Sequence, residues 1–147
     1  MGGTDDFYTL KGYARNEAAP LSAAMEDYLE MILRLEAQGQ RPRITQIAQH
    51  LHVKPSSASK MAANLQAAGY LKKTHYESLE VTELGRREGA YLLHRHGVLN
   101  RFFELLNHSG HQLPLVEKIE HFMDRQTVEN LEHLTRSMAE GQNAEPS

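Results

Sequence analysis

Cysteine and tryptophan are both absent from these 147 residues. Without cysteine there is no disulfide, no thiolate metal site and no cysteine nucleophile. Aromatic residues are sparse, at 7%. No run of eighteen apolar residues occurs, so no segment reads as a membrane span. The opening MGGTDDFYTLKGYARNEAAP lacks an apolar core and does not read as a signal peptide. Residues 1–20 are expected to form a short N-terminal arm. These absences suit a cytoplasmic protein. What is present, 40% hydrophobic residues, suffices for one compact domain or two small ones sharing a long connecting helix.

Acidic residues are missing from one stretch. Between Arg41 and Tyr76 lie six basic residues (Arg41, Arg43, Lys54, Lys60, Lys72, Lys73) and no Asp or Glu, although the net charge is −3. Basic surface gathered on one segment of an acidic chain suits a phosphate backbone. A chance cluster of solvated charges has the same composition, so its position in the fold decides.

Apolar spacing organises the chain as a nearly all-α protein with one small hairpin. LSAAMEDYLEMILRLEAQG writes a first helix, with Met25, Tyr28, Leu29, Ile32, Leu33 and Leu35 inward and Gly39 ending it. ITQIAQHL is a short amphipathic helix, followed by a tight turn at His52-Val53-Lys54. PSSASKMAANLQAAG follows, with Pro55 in its first turn and Gly69 just past its end. YLKKTHYESLEVT reads as two short strands, Leu71–Thr74 and Leu79–Val81. Thr82 is a good N-cap for a long helix whose stripe runs through Leu92, His96, Leu99, Phe103 and Leu106. A short helix, LPLVEKIEHFM, precedes a last helix from about Arg125 to Met138 that carries Val128, Leu131 and Leu134. Residues 141–147 are expected to be a disordered tail.

Helix, helix, turn, helix and two-stranded wing is the order of a winged helix-turn-helix, whose second motif helix enters the major groove. That helix begins with Ser56, Ser57 and Ser59, flanked by Lys54 and Lys60. Hydroxyls and free N–H groups there suit phosphate oxygens, and short side chains permit close approach to base edges. Lys72, Lys73 and His75 fall on the wing. The acid-free segment coincides with this whole motif, so DNA binding is expected. A winged helix that binds protein instead would use its serines only as caps.

Carboxylates and imidazoles recur at helical spacing in three places. VEKIEHFMD (116–124) sets Glu117, Glu120 and His121 at i, i+3 and i+4, one face of a helix. Carboxylates so close raise each other's pKa unless a basic side chain or a metal ion sits between them. The first helix carries Asp27 and Glu30 at i, i+3. The long helix carries His94 and His96, the latter on the apolar stripe. Taken singly, an acidic face is usually solvated and a buried histidine is usually a hydrogen-bonded core residue.

Taken together, MEDYLEMI at 25–32, KPSS at 54–57, the Arg-His pair at 95–96 and VEKIEH at 116–121 resemble the diphtheria-toxin-repressor family, specifically its manganese-responsive MntR branch. The resemblance covers residues 21–135. It implies a homodimeric, metal-activated regulator rather than an enzyme, with a winged-helix DNA-binding domain (21–81) and a helical metal-binding and dimerisation domain (82–140). It places the metal ligands on Asp27, Glu30, His96, Glu117, Glu120 and His121. Iron-responsive relatives typically carry Met and Cys where this chain has Asp27 and Glu117. The SH3-like third domain of larger relatives is not expected. His94 has no place in the matched pattern and is expected at the surface.

Four carboxylates and two imidazoles form a hard, oxygen-rich set suited to Mn²⁺, and two divalent ions per chain balance the four negative charges. Fe²⁺, Co²⁺, Zn²⁺ or Cd²⁺ are expected to bind in vitro, because raw affinity at such sites does not favour manganese. The expected partners are a palindromic double-stranded DNA operator and a second copy of the chain, with no membrane and no organic substrate. The expected role is repression of manganese-uptake genes. The competing readings are an iron- or zinc-responsive regulator of the same fold and a winged-helix regulator answering an organic ligand. A di-metal carboxylate enzyme would use Glu-x-x-His pairs, whereas Glu117 and His121 are four apart.

Overall fold

The computed structural model describes residues 21–72 and 78–144, with side chains described as far as Gly141. Six α-helices and one 3₁₀ turn account for most of them. Helix α1 (Ala23–Ala37) starts where the Ser22 hydroxyl accepts from the Met25 N–H at 3.2 Å, and stops before Gly39 at φ +77°. Helix α2 (Ile44–Leu51) starts where the Gln46 side chain accepts from the Arg43 N–H at 3.2 Å. It ends on His52, which takes the left-handed conformation (φ 56°) and turns the chain into α3 (Pro55–Ala67). Pro55 costs nothing at that start, since a first-turn N–H has no helical partner to lose.

The Thr82 hydroxyl caps α4 (Glu83–Asn107), accepting from the Gly85 N–H at 3.0 Å and donating to the Gly69 carbonyl at 2.6 Å. One side chain thus starts the long helix and anchors it to the end of α3. Helix α5 (Leu113–Ile119) runs into a 3₁₀ turn, Glu120–Phe122. Helix α6 (Arg125–Ala144) begins where the Asp124 carboxylate accepts from the Thr127 N–H at 2.7 Å.

Among the described residues, the expected two-stranded wing (Leu71–Thr74 and Leu79–Val81) shows isolated antiparallel bridges. Leu71 faces Val81, and the Lys72 N–H donates to the Glu80 carbonyl at 2.8 Å. Arg43 faces Ser78, and the Leu79 N–H donates to the Pro42 carbonyl at 2.8 Å. The returning segment thus divides its pairing between two partners. The tip, Lys73 to Glu77, lies outside the described residues.

The core is built around α1. Leu29, Ile32 and Leu35 are fully buried, as are Ile47 of α2, Leu65 of α3, and Leu92 and Leu99 of α4. Gly89 sets the distance between α1 and α4, because a Cβ there would sit 2.6 Å from Leu33 Cγ. Two expectations change. Leu106 is 50% exposed, because a strict seven-residue stripe drifts around a helix of 3.6 residues per turn. The last helix continues past Met138 to Ala144, so 141–144, expected in a disordered tail, are helical. Among the described residues no helix is long and apolar enough to cross a membrane.

Candidate metal centre

Helix α1 uses its faces for different purposes. Leu29, Ile32 and Leu33 face the core, while Glu26, Asp27 and Glu30 point toward α4 and the 3₁₀ turn. From α4 comes His96, one turn beyond buried Leu92. From the 3₁₀ turn come Glu120, only 2% exposed, and His121. Five of the six residues expected as ligands meet here. They form two groups, Asp27–Glu120–His121 and Glu30–His96–Glu120, in each of which the potential ligand atoms lie within 4.8 Å of one another. Glu120 belongs to both.

The local contacts are close. His96 Nδ1 is 2.8 Å from Glu120 Oε2. His121 Nε2 is 3.0 Å from Asp27 Oδ1 and 3.9 Å from Glu120 Oε1. The hydrogen bonds to Asp27 and Glu26 hold the His121 imidazolium strongly, raising its pKa to about 10 against the opposing effect of burial. Glu30 is pushed up to about 7, first by burial and then by the Glu120 carboxylate beside it. Its Oε1 is buried without a hydrogen-bond partner, and the nearest cation, Arg34 Nη2, stands 4.0 Å away.

Such a site suits a divalent cation. A largely buried carboxylate oxygen with no donor is costly in a protein interior, and it faces a second carboxylate and an imidazole. All the donors are oxygen or imidazole nitrogen, the chemistry that manganese and its neighbours share.

Glu117 lies outside both groups and is exposed. The sequence placed it on one α-helical face with Glu120 and His121. The winding instead changes from α to 3₁₀ at Ile119 (φ −100°, ψ −16°), which turns Glu120 and His121 inward without it. His94 is on the surface as expected, 3.5 Å from Glu132.

Two residues at the site carry no signal in the periodicity. Arg95 is 4% exposed and reaches both oxygens of Glu26, at 3.3 and 3.4 Å, and Glu26 Oε1 is 2.9 Å from His121 Nδ1. Helical spacing marks Glu26 only as an acidic first-turn residue. The sequence hint is their adjacency, Glu26 beside Asp27 and Arg95 beside His96.

Lys54, Ser56, Ser57, Ser59, Lys60 and Lys72 are all exposed. Ala58, Ala62 and Leu65 face inward and seat α3 on the core. No side chain caps the start of α3, which leaves its first-turn N–H groups facing outward beside the serines. Lys73 and His75 lie outside the described residues.

The fold and the cluster together define a winged-helix regulator with a carboxylate–histidine centre. A family model described as iron dependent repressor, N-terminal DNA binding domain, matches residues 20–79. The HTH-type transcriptional regulator MntR of Shouchella clausii is 33% identical over 120 residues, covering 81% of this chain and 84% of that protein. Its namesake in Bacillus subtilis is 31% identical over 118 residues, covering 80% and 83%. Among solved structures, the manganese regulator SloR superposes with a TM-score of 0.66 at 23% identity, and ScaR with bound Zn²⁺ with 0.65 at 24%. Both comparisons cover 76% of this chain, which spans about half (53%) of each of those longer chains. The chain belongs to the MntR family of helix-turn-helix transcriptional regulators.

Proposed function

We propose that this protein is a manganese-activated repressor that binds a palindromic operator as a homodimer in the cytoplasm and controls manganese-uptake genes, with no catalytic step of its own. The observation that carries the proposal is the position of the ligand cluster. Asp27 and Glu30 belong to the helix on which α2 and α3 are seated, while His96, Glu120 and His121 belong to the elements that follow the wing.

In this reading residues 21–81 form the DNA-binding unit and 82–140 the metal-binding and dimerisation unit. Asp27, Glu30, His96, Glu120 and His121 hold the metal, and Glu117 completes the set by turning inward from the neighbouring turn. Bound divalent ions supply the positive charge that four carboxylates otherwise lack. The chain does the rest. Holding Asp27 and Glu30 against the 3₁₀ turn fixes α1 relative to α4, and α3 follows α1 because Leu65 and Ala62 pack in the same core. In a dimer, two α3 helices held about 34 Å apart fit successive turns of the major groove. Ser56, Ser57 and Ser59 meet backbone and base edges there, while Lys54, Lys60, Lys72 and Lys73 meet phosphates. A few kcal/mol of differential binding suffices for such a population shift.

The donor set favours manganese, while the matched DNA-binding model is named for iron; Fe²⁺ is therefore the competing effector, ahead of Zn²⁺ or Co²⁺. Chelator-stripped protein titrated with Mn²⁺, with the free ion followed by electron paramagnetic resonance, tests the reading. About two ions per chain, the number that neutralises four carboxylates, are expected, with a sharp fall in Glu117→Ala. Operator binding should then require manganese. Micromolar Fe²⁺ or Zn²⁺ binding without Mn²⁺ binding would overturn the manganese assignment. Binding of no metal would leave a winged-helix regulator with a different signal.

A further inference from the structure

We infer that Glu26 and Arg95, which contribute no atom to the ligand set, are positioning residues that aim His121 at the metal. The inference rests on the metal-binding reading above and concerns how one ligand is oriented.

The geometry is a relay through three elements. Arg95 on α4 presents Nη1 and Nη2 to the two oxygens of Glu26 on α1, at 3.4 and 3.3 Å. Glu26 Oε1 in turn lies 2.9 Å from Nδ1 of His121 in the 3₁₀ turn. With Nδ1 engaged by this carboxylate, the other ring nitrogen, Nε2, faces Asp27 and Glu120 at 3.0 and 3.9 Å. The ring therefore offers the ligand cluster one nitrogen and not the other. A carboxylate that takes the far N–H of a ligand imidazole fixes both tautomer and ring plane, and it makes the coordinating nitrogen a better donor.

A purely stabilising ion pair explains the arrangement less well. Arg95 is almost wholly buried, and its Nε is buried without a partner. A buried pair with an orphaned donor gains little over apolar side chains of the same size. Holding the Glu26 carboxylate in one orientation gives Arg95 a different role. Helix geometry divides the work between neighbours: Glu26 meets Arg95 and Nδ1 of His121 while Asp27 meets Nε2 of the same ring, and Arg95 addresses Glu26 while His96 addresses Glu120.

The test uses the full chain with Co²⁺ as a paramagnetic probe, and reads both affinity by calorimetry and the hyperfine-shifted, exchangeable N–H protons of ligand histidines by NMR. In the wild type, one such proton, assigned to His121 Nδ1, should exchange slowly with water because Glu26 holds it. Glu26→Ala should lose that signal to exchange and weaken Co²⁺ binding by about 10- to 100-fold, with unchanged far-UV circular dichroism. Glu26→Gln keeps an acceptor oxygen and should fall between the two, which preserves the test if the alanine variant does not fold. Arg95→Met should shift the signal and speed its exchange. Wild-type affinity and an intact signal in both Glu26 variants would overturn the positioning role while leaving the metal site standing. A wild type that binds no Co²⁺ would remove the metal-binding reading, and the positioning role with it.

Discussion

Glu30→Gln should make the metal-stripped protein more stable while destroying its metal response. Glu30 carries a pKa of about 7 instead of 4.5, because burial and the Glu120 carboxylate both oppose its charge. A folded pKa above the unfolded one means that the stability difference is fully present below pH 4.5 and is lost as pH rises through about 7. At about 1.36 kcal/mol per unit, ionised Glu30 costs the fold on the order of 3 kcal/mol at pH 8. Glutamine removes the charge but must still bury an amide, so about 1–2 kcal/mol should be recovered. In a chain of this size that is a rise of roughly 2–8 °C in Tm. His121, raised to about 10, loses its contribution over a higher range, from pH 6.5 through about 10, in wild type and variant alike. The assay is thermal unfolding of chelator-stripped protein at fixed concentration, at pH 5 and pH 8. The variant should melt higher at pH 8 and near the wild type at pH 5, and added Mn²⁺ should raise only the wild type. An equal offset at both pH values, or no gain at pH 8, would refute the charge argument.

Metal binding should itself depend on pH, since Glu30 and His121 both carry protons at pH 6 and a ligand must lose its proton to bind. Mn²⁺ affinity should therefore rise by at least about tenfold between pH 6 and pH 8; calorimetry in buffers of different ionisation heat should count the released protons, and a flat profile would contradict the ligand roles. Lys54→Ala and Lys60→Ala should each weaken operator binding across sequences and lower the salt slope by about 1, leaving Mn²⁺ titrations unchanged. Gly85→Ala should cost about 1–3 kcal/mol in urea unfolding, because its Cβ would lie 2.1 Å from the Tyr70 carbonyl oxygen. Gly97→Ala, on the same helix with nothing within 4 Å, should instead gain up to about 1 kcal/mol.

The helices were legible because each is written twice, in apolar period and in end signals. Pro55, Gly69 and Thr82 all stand where the helices begin and end. The wing was legible as a place, while the pairing of its returning segment with Pro42 and Arg43, 35 to 37 residues away in sequence, was not. Leu106 was misplaced because a seven-residue stripe is not a 3.6-residue helix over four turns. At the site, Asp27, Glu30, His96, Glu120 and His121 converge as the motif pattern implies. Glu117 does not, because a local change of winding is invisible to i, i+3, i+4 counting. Glu26 and Arg95 were hidden for another reason: they are 69 positions apart, and each alone resembles a solvated charge.

The contacts also constrain how such a centre can act. Glu120 already sits between both imidazoles, and His121 already faces Asp27, so of the proposed ligands Glu117 alone has to be brought in. What stays unresolved electrostatically is Glu30, whose Oε1 has no donor, on the helix that packs against both α3 and the long helix α4. A conformational change follows only from a difference in binding free energy between two states. One such difference is the cost of ionising Glu30 next to Glu120, which a cation held by the two carboxylates would lower. Leu29, Ile32 and Leu33 fix the other side of the same helix in the core, so under the proposed function relief at Glu30 would be passed to α3 through packed side chains. In the proposed mechanism the frustrated carboxylate is thus placed where its relief would act on the seating of α3.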